Sequence, residues 1–486
     1  MWVAVLRGDY LGMHLRRNIF CVLSAAVMVA LSACASSADP VPTLDWQPCR
    51  ENAEFDCATI AVPVDWARPR GATIDVAVVR EQAGDVERKV GTLVSLPGGP
   101  GSSGVDEILR GGKFSPQLRE RFDIVSIDPR GVQRSHPVRC DSGLVASQPN
   151  MVPDAGGRIE EVRSYARDLA DSCRTYTGPL IDHLDAASVA RDVDALRAAL
   201  GEDQLTLYSR SYGTMPAQAY AELFPKRLRA SLMDSVDDHS LDGREFLASE
   251  ARAGQDTFDE FAAWCAREEQ CVLHGADVHQ IYGELFAKAG RDELLFADKP
   301  LGSLELSQKV TQRLYAPEWS RLATDLKTLI DQPASSPVPP TLAQRSGEPT
   351  PMPQLAMCSD WRFDIEDQQD WLRLWHEQNT NAPTLRAHFA WGAGTLCSGW
   401  PIAPQNPQHH PDIRDGAPIL VMNSLHDPAT PHEWATQVVA DTPRAALLTY
   451  AGWGHGVYNR TRCTTTAADE YFITLTLPAE SSCAPS

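Results

Sequence analysis

The chain has 486 residues, 43% of them hydrophobic and 22% charged, and a formal charge of −20 at pH 7. Those proportions supply a large core and exclude a disordered chain. So acidic a balance also excludes nucleic acid as an expected partner.

Arg16 and Arg17 stand before an apolar run at 19–31 that is too short to span a bilayer comfortably, so residues 1–33 are expected to be a cleaved export leader. Leu31-Ser32-Ala33-Cys34 resembles the lipobox of bacterial lipoproteins. Cys34 is therefore the expected lipidation site and the expected anchor to a membrane of the cell envelope. An ordinary leader would still export the protein, without the anchor. Losing Arg7, Arg16, Arg17 and Asp9 with the leader takes the formal charge from −20 to −22.

Of twelve Cys, Cys21 leaves with the leader and Cys34 is assigned to lipid, and the even remainder points to disulfides in an exported chain. Short loops close most readily, so the first pairs to consider are Cys49 with Cys57, Cys140 with Cys173, Cys265 with Cys271, Cys358 with Cys397 and Cys463 with Cys483. Spacing alone leaves the connectivity open. No Cys shows zinc-ligand spacing, His409-His410 reads as a surface loop, and neither metal nor cofactor is expected.

Short apolar, β-branched runs at 73–80, 92–96, 124–127, 205–208 and 231–233 are expected strands, and 186–200 is an expected helix ended by Gly201. That rhythm predicts an α/β fold with a mostly parallel central sheet and helices on both faces. From 237 to 417 the pattern turns helical, with Phe258, Phe261, Ala262 and Cys265 on one face, and the Pro- and Ser-rich stretch 331–353 reads as an exposed loop. Strands at 419–423 and 446–450 then complete the sheet. The expected organisation is a core over 34–236 and 418–486 with a large, mainly helical lid, 237–417, inserted before the last strands.

The strand at 205–208 runs into Ser209-Arg210-Ser211-Tyr212-Gly213 and then into a helical pattern at 217–224. This is the setting of a nucleophile elbow, in which a sharp turn presents Ser211 Oγ to a cleft, here with Ser209 in place of the usual first glycine. Upstream, Leu96-Pro97-Gly98-Gly99-Pro100-Gly101 follows a strand and lets backbone approach a developing oxyanion. Gly99 N–H is the leading donor and Tyr212 N–H, at the following helix start, the second. An acid and a base are then expected after later strands, since only the carboxyl ends of strands open onto one crevice. Asp427 and His455 occupy those places, in the order Ser, Asp, His. His426 and His432 are expected to be structural or at the surface, because a His adjoining the acid cannot readily bridge it to Ser211.

These motifs, with Asp128-Pro129-Arg130-Gly131, Ser211-Tyr212-Gly213-Thr214, Asp234, Cys358-Ser359-Asp360-Trp361, Cys397-Ser398-Gly399-Trp400-Pro401, Asp427-Pro428-Ala429-Thr430-Pro431 and Gly454-His455-Gly456, make a broad resemblance. The chain resembles the tripeptidyl aminopeptidase and prolyl iminopeptidase-like branch of the α/β-hydrolases, secreted bacterial serine exopeptidases with a TAP-like C-terminal region. The resemblance implies release of short peptides from substrates with a free N-terminus through a Ser-His-Asp acyl-enzyme. It also implies that Thr430 orients Asp427 by a hydrogen bond. Carboxylates in the lid would suit the substrate ammonium, with Asp360 as one candidate and a helix-start or surface acid as its plainer reading. The alternative is a carboxylesterase or lipase, because the same triad cleaves esters. A binding protein that kept the fold but lost catalysis is the rival from another class.

Overall fold

The computed structural model describes residues 43–296, 299–316, 318–332, 348–386, 389–414 and 416–485. The leader, the lipidation candidate Cys34 and residues 333–347 of the Pro- and Ser-rich loop lie outside them. Ten described strands form one sheet: β1 (Gln47–Pro48), β2 (Asp56–Pro63), β3 (Thr73–Glu81), β4 (Gly91–Leu96), β5 (Phe122–Ile127), β6 (Leu205–Ser211), β7 (Leu228–Val236), β8 (Ile419–His426), β9 (Ala445–Trp453) and β10 (Ser482–Cys483). Their spatial order is β1-β2-β3-β5-β4-β6-β7-β8-β9-β10. The three pairings at the β1 end are antiparallel and the rest parallel.

Helices cover both faces of the parallel part, so its strands are apolar at consecutive positions. In β4, Leu93 packs with Ile124, Leu232 and Tyr471, while the next residue, Val94, packs on the other face with Val193, Leu196 and Leu207. The second face is covered by α1 (Ile159–Thr177) and α2 (Ala186–Leu200), the latter begun by Asp185, whose carboxylate accepts from Ser188 N at 2.8 Å. Gly201, at φ 72°, ends it. After β6 comes α3 (Thr214–Leu223).

Between β7 and β8 the chain leaves the sheet and builds a helical cap, with α4 (Gly243–Arg267), α5 (Val278–Ala289), α6 (Ser303–Leu314), α7 (Trp319–Ile330), α8 (Gln368–Asn381) and α9 (Phe389–Ser398). The cap has its own core, in which Phe258, Phe261 and Cys265 of α4 meet Leu326, Trp371, Trp375 and Trp391. The segment 331–353, expected as an exposed loop, departs from that at its end. Thr350–Pro351 pairs antiparallel with Arg139–Cys140, and Met352 donates its N–H to Val138 O at 2.9 Å and buries its side chain in the sheet core. The apolar Met352 draws the chain inward there. Past β8 and β9 lie α10 (His432–Asp441) and α11 (Arg462–Thr474). Five disulfides form, Cys49–Cys57, Cys140–Cys173, Cys265–Cys271, Cys358–Cys397 and Cys463–Cys483, which are the neighbour pairs that short loop closure favours.

A buried ion pair joins three of these parts. Arg130, from the loop after β5, donates to Asp192 of α2 through Nε at 2.7 Å and Nη2 at 2.5 Å, and its remaining protons go to Pro63 O, Val64 O and His183 O. Asp192 also accepts from Trp66 Nε1 at 2.9 Å. Both side chains are fully enclosed, so Asp192→Ala would strand a desolvated cation. Urea denaturation of that variant is expected to show a loss of about 3–5 kcal/mol; a loss below about 1 kcal/mol would contradict the role given to the pair.

Candidate active site

Ser211 ends β6 with φ at 56°, in the left-handed region that a residue with a side chain rarely adopts. Two glycines permit it by letting backbones touch. A Cβ at Gly213 would stand 2.5 Å from Leu96 O and 2.6 Å from Pro97 O, and one at Gly98 would stand 2.9 Å from Arg210 O and 3.0 Å from Ser211 Cβ. Ser209 is tolerated in the elbow because its hydroxyl turns along the sheet and donates to Leu232 O of β7 at 3.2 Å. Thr214 Oγ1 closes the turn by donating to Ser211 O at 2.7 Å.

Gly98, Gly99, Ser211 and His455 line one cavity of about 590 Å³ beneath the cap, with Arg210, Gln308, Thr311, Gln312, Tyr315 and Gln354 around it. Neither Gly99 N–H nor Tyr212 N–H meets a backbone acceptor among the described residues. Tyr212 sends its phenol the other way, to Asp360.

Asp427 lies just past β8, buried, and its carboxylate is saturated. Oδ1 accepts from Ala429 N at 2.9 Å and Thr430 N at 3.0 Å; Oδ2 accepts from Thr430 Oγ1 at 3.1 Å and Ser235 Oγ at 2.8 Å. His455 Nδ1 lies 3.0 and 3.1 Å from the two oxygens. Burial alone would raise the Asp427 carboxyl, yet His455 and the amides of Thr430 and Ala429 hold it below the ordinary value. With Nδ1 engaged, Nε2 is the ring nitrogen left for the cavity that His455 shares with Ser211.

The loop carrying His455 is pinned from both sides. Gly456 N donates to Ser235 Oγ at 2.8 Å, and Val457 N and Tyr458 N donate to Asp234 at 2.6 and 3.1 Å. From the cap, Tyr315 just past α6 accepts the His455 N–H on its carbonyl at 2.9 Å and lays its ring 4.9 Å from the imidazole. Asp234, Ser235 and Tyr315 are site residues for which sequence reading assigned no role. Asp234-Ser235 at the carboxyl end of a buried strand was the available signal.

The other candidates sit elsewhere. His426 Nδ1 pairs with Asp256 at 2.7 Å, and His432 Nε2 meets Thr449 Oγ1 at 2.8 Å. His409 and His410 are exposed and meet Glu222 and Asp441. Asp360 is neither at the surface nor among the residues lining the cavity. It is buried at the start of α2, accepting from Ala186 N at 2.9 Å, Asn406 Nδ2 at 2.8 Å and Tyr212 Oη. The ammonium role weighed for it fails on that placement.

Residues 382–483 match the family described as TAP-like protein. The chain is 30% identical to the serine protease Hip1 of Mycobacterium tuberculosis, covering 89% of this chain and 91% of that protein. It is 28% identical to the tripeptidyl aminopeptidase of Streptomyces lividans, covering 91% and 87%, and 30% identical to carboxylesterase B of M. tuberculosis, covering 91% and 90%.

Burial, and then the neighbouring Asp185, push the Asp360 carboxyl up to about 7. The folded state therefore holds a proton that the unfolded chain releases near its ordinary value of about 3.9. Stability from this group is full below that value and is lost as pH rises through 7. The Tm of Asp360→Asn is expected to gain on the wild type between pH 4 and 7 and to hold its relative position above; a difference independent of pH would contradict this.

Proposed function

The chain belongs to the family of α/β-hydrolases that includes the serine protease Hip1 and the tripeptidyl aminopeptidases, and is a serine hydrolase; from this we propose that it is an exported exopeptidase releasing di- or tripeptides from free N-termini. The observation that carries the chemistry is the Asp427–His455 contact, at 3.0 Å, beside a Ser211 held at φ 56°.

Ser211 Oγ attacks the scissile carbonyl carbon as His455 Nε2 takes its proton, and Asp427 keeps the imidazole in the right tautomer and stabilises the imidazolium. Thr430 and Ser235 orient the acid. The amides of Gly99 and Tyr212 hold the oxyanion. Collapse of the tetrahedral species breaks the C–N bond, and the departing amine leaves with the proton from His455. The N-terminal fragment stays as an ester on Ser211 until water, deprotonated by His455, releases it.

Peptide substrates are favoured by the cavity wall. Gln308, Gln312 and Gln354 offer neutral donors and acceptors, and Thr311 on the same wall has an Oγ1 with no partner among the described residues, a lining that suits an amide backbone better than a plain acyl chain. The cap above it limits entry to chain ends. The five disulfides, together with the leader-like residues 1–33 and the lipobox-like Cys34, support export and a lipid anchor in the cell envelope. The second reading, a carboxylesterase, is favoured by the resemblance to carboxylesterase B and uses the same acyl-enzyme.

A tripeptide p-nitroanilide with a free N-terminus is expected to be cleaved, and its N-acetylated form to lose turnover. Ester turnover with neither anilide cleaved would select the esterase. Ser211→Ala is expected to lower kcat by roughly 10⁴-fold or more on the preferred substrate, with the fold retained.

A further inference from the structure

A second pocket opens beside the catalytic cavity and shares Gly99, Gln308 and Gln354 with it. Its volume is about 250 Å³, against roughly 150 Å³ for an apolar cavity that accepts benzene. Met151, Met352, Leu355 and Met357 line it from below, and Leu304 of α6 and Leu396 of α9 from the cap. None of its lining residues is charged. Of its three Gln side chains, two turn their amides toward methionine sulfurs, Gln148 to Met151 at 3.5 Å and Gln354 to Met352 at 3.3 Å. Space is kept open by the small Gly392 and Ala393, where a Cβ on Gly392 would already stand 3.3 Å from Leu304 Cδ2. The Cys358–Cys397 disulfide ties two lining residues together across the wall.

The pocket's side of the nucleophile decides what it receives. A leaving amine must collect its proton from His455 and so lies on the His455 side. The pocket adjoins Gly99, the oxyanion donor, and includes neither His455 nor Tyr315. It therefore lies toward the acyl part of the substrate. We propose that this pocket is the specificity site for the residue whose carbonyl is attacked, and that it selects a medium or large apolar side chain of the Leu, Met or Phe class. The inference rests on the peptidase reading above and deepens it. A charged side chain there would be desolvated with no counter-ion, and a small one would leave the Met and Leu walls without contact.

The test measures kcat/KM for tripeptide p-nitroanilides that differ only in the residue bearing the anilide: Ala, Leu, Phe, Asp and Lys. Wild type is expected to prefer Leu and Phe to Asp and Lys by at least tenfold, the order of effect a hydrophobic pocket exerts per methylene or more. Ala393→Trp, which fills the pocket, is expected to lower the Leu-to-Ala ratio at least tenfold. Leu304→Ala, which widens it from the cap, is expected to raise the Phe-to-Leu ratio about threefold. Stoichiometric fluorophosphonate labelling reports that each variant is folded. Cleavage without preference, or ratios unchanged in both variants, overturns the pocket assignment and leaves the peptidase reading standing. No cleavage of any anilide by enzyme that labels fully overturns the peptidase reading, and the assignment with it.

Discussion

The whole site depends on a close approach of backbone to backbone at the end of β6. Leu96 O and Pro97 O press against Gly213, and Arg210 O and Ser211 Cβ against Gly98, at distances that no side chain could share. That contact requires a sharp reversal from strand to helix within three residues, which puts Ser211 at φ 56° and its hydroxyl at the mouth of the sheet. Such strain is of the order of 1–3 kcal/mol and persists only because the flanking strands and α3 overdetermine it. The same contact brings Gly99 beside Ser211, so the place proposed for an oxyanion follows from the geometry that positions the proposed nucleophile.

A second set of polar contacts keeps Asp427 and His455, the proposed acid and base, in register with that elbow. Asp234 and Ser235, at the end of β7, reach the loop after β9 through three backbone amides, and Ser235 reaches Asp427 at the end of β8. Three neighbouring strand ends are thus one hydrogen-bonded unit rather than three separate loops. The cap joins it through Tyr315, whose carbonyl receives the His455 amide and whose ring borders the imidazole. The positions of the cap and of His455 are therefore coupled directly.

The central strands were legible in sequence because burial on both faces leaves runs such as Ile419–Met422 without polar interruption. β2 was not legible. It lies in the antiparallel part, where Thr59 and Ala61 face solvent and Ile60 and Val62 the core, so the apolar signal is halved. Ser211, Asp427 and His455 stood out because each lies at or just past the end of a strand. Ser235 did not, and the place of Asp360 was misjudged, since their partners are 192 and 148 residues away along the chain and only the fold brings them together. Met352 shows the opposite case, in which composition spoke for an exposed loop and one buried apolar side chain decided otherwise.

In the proposed mechanism one strained serine, served by a histidine after the last long strand, does the chemistry. Peptide mass spectrometry after fluorophosphonate treatment tests it most directly. A single adduct on Ser211, lost in His455→Ala, is the predicted result. An adduct on another residue, or labelling at Ser211 unaffected by the loss of His455, would contradict the account.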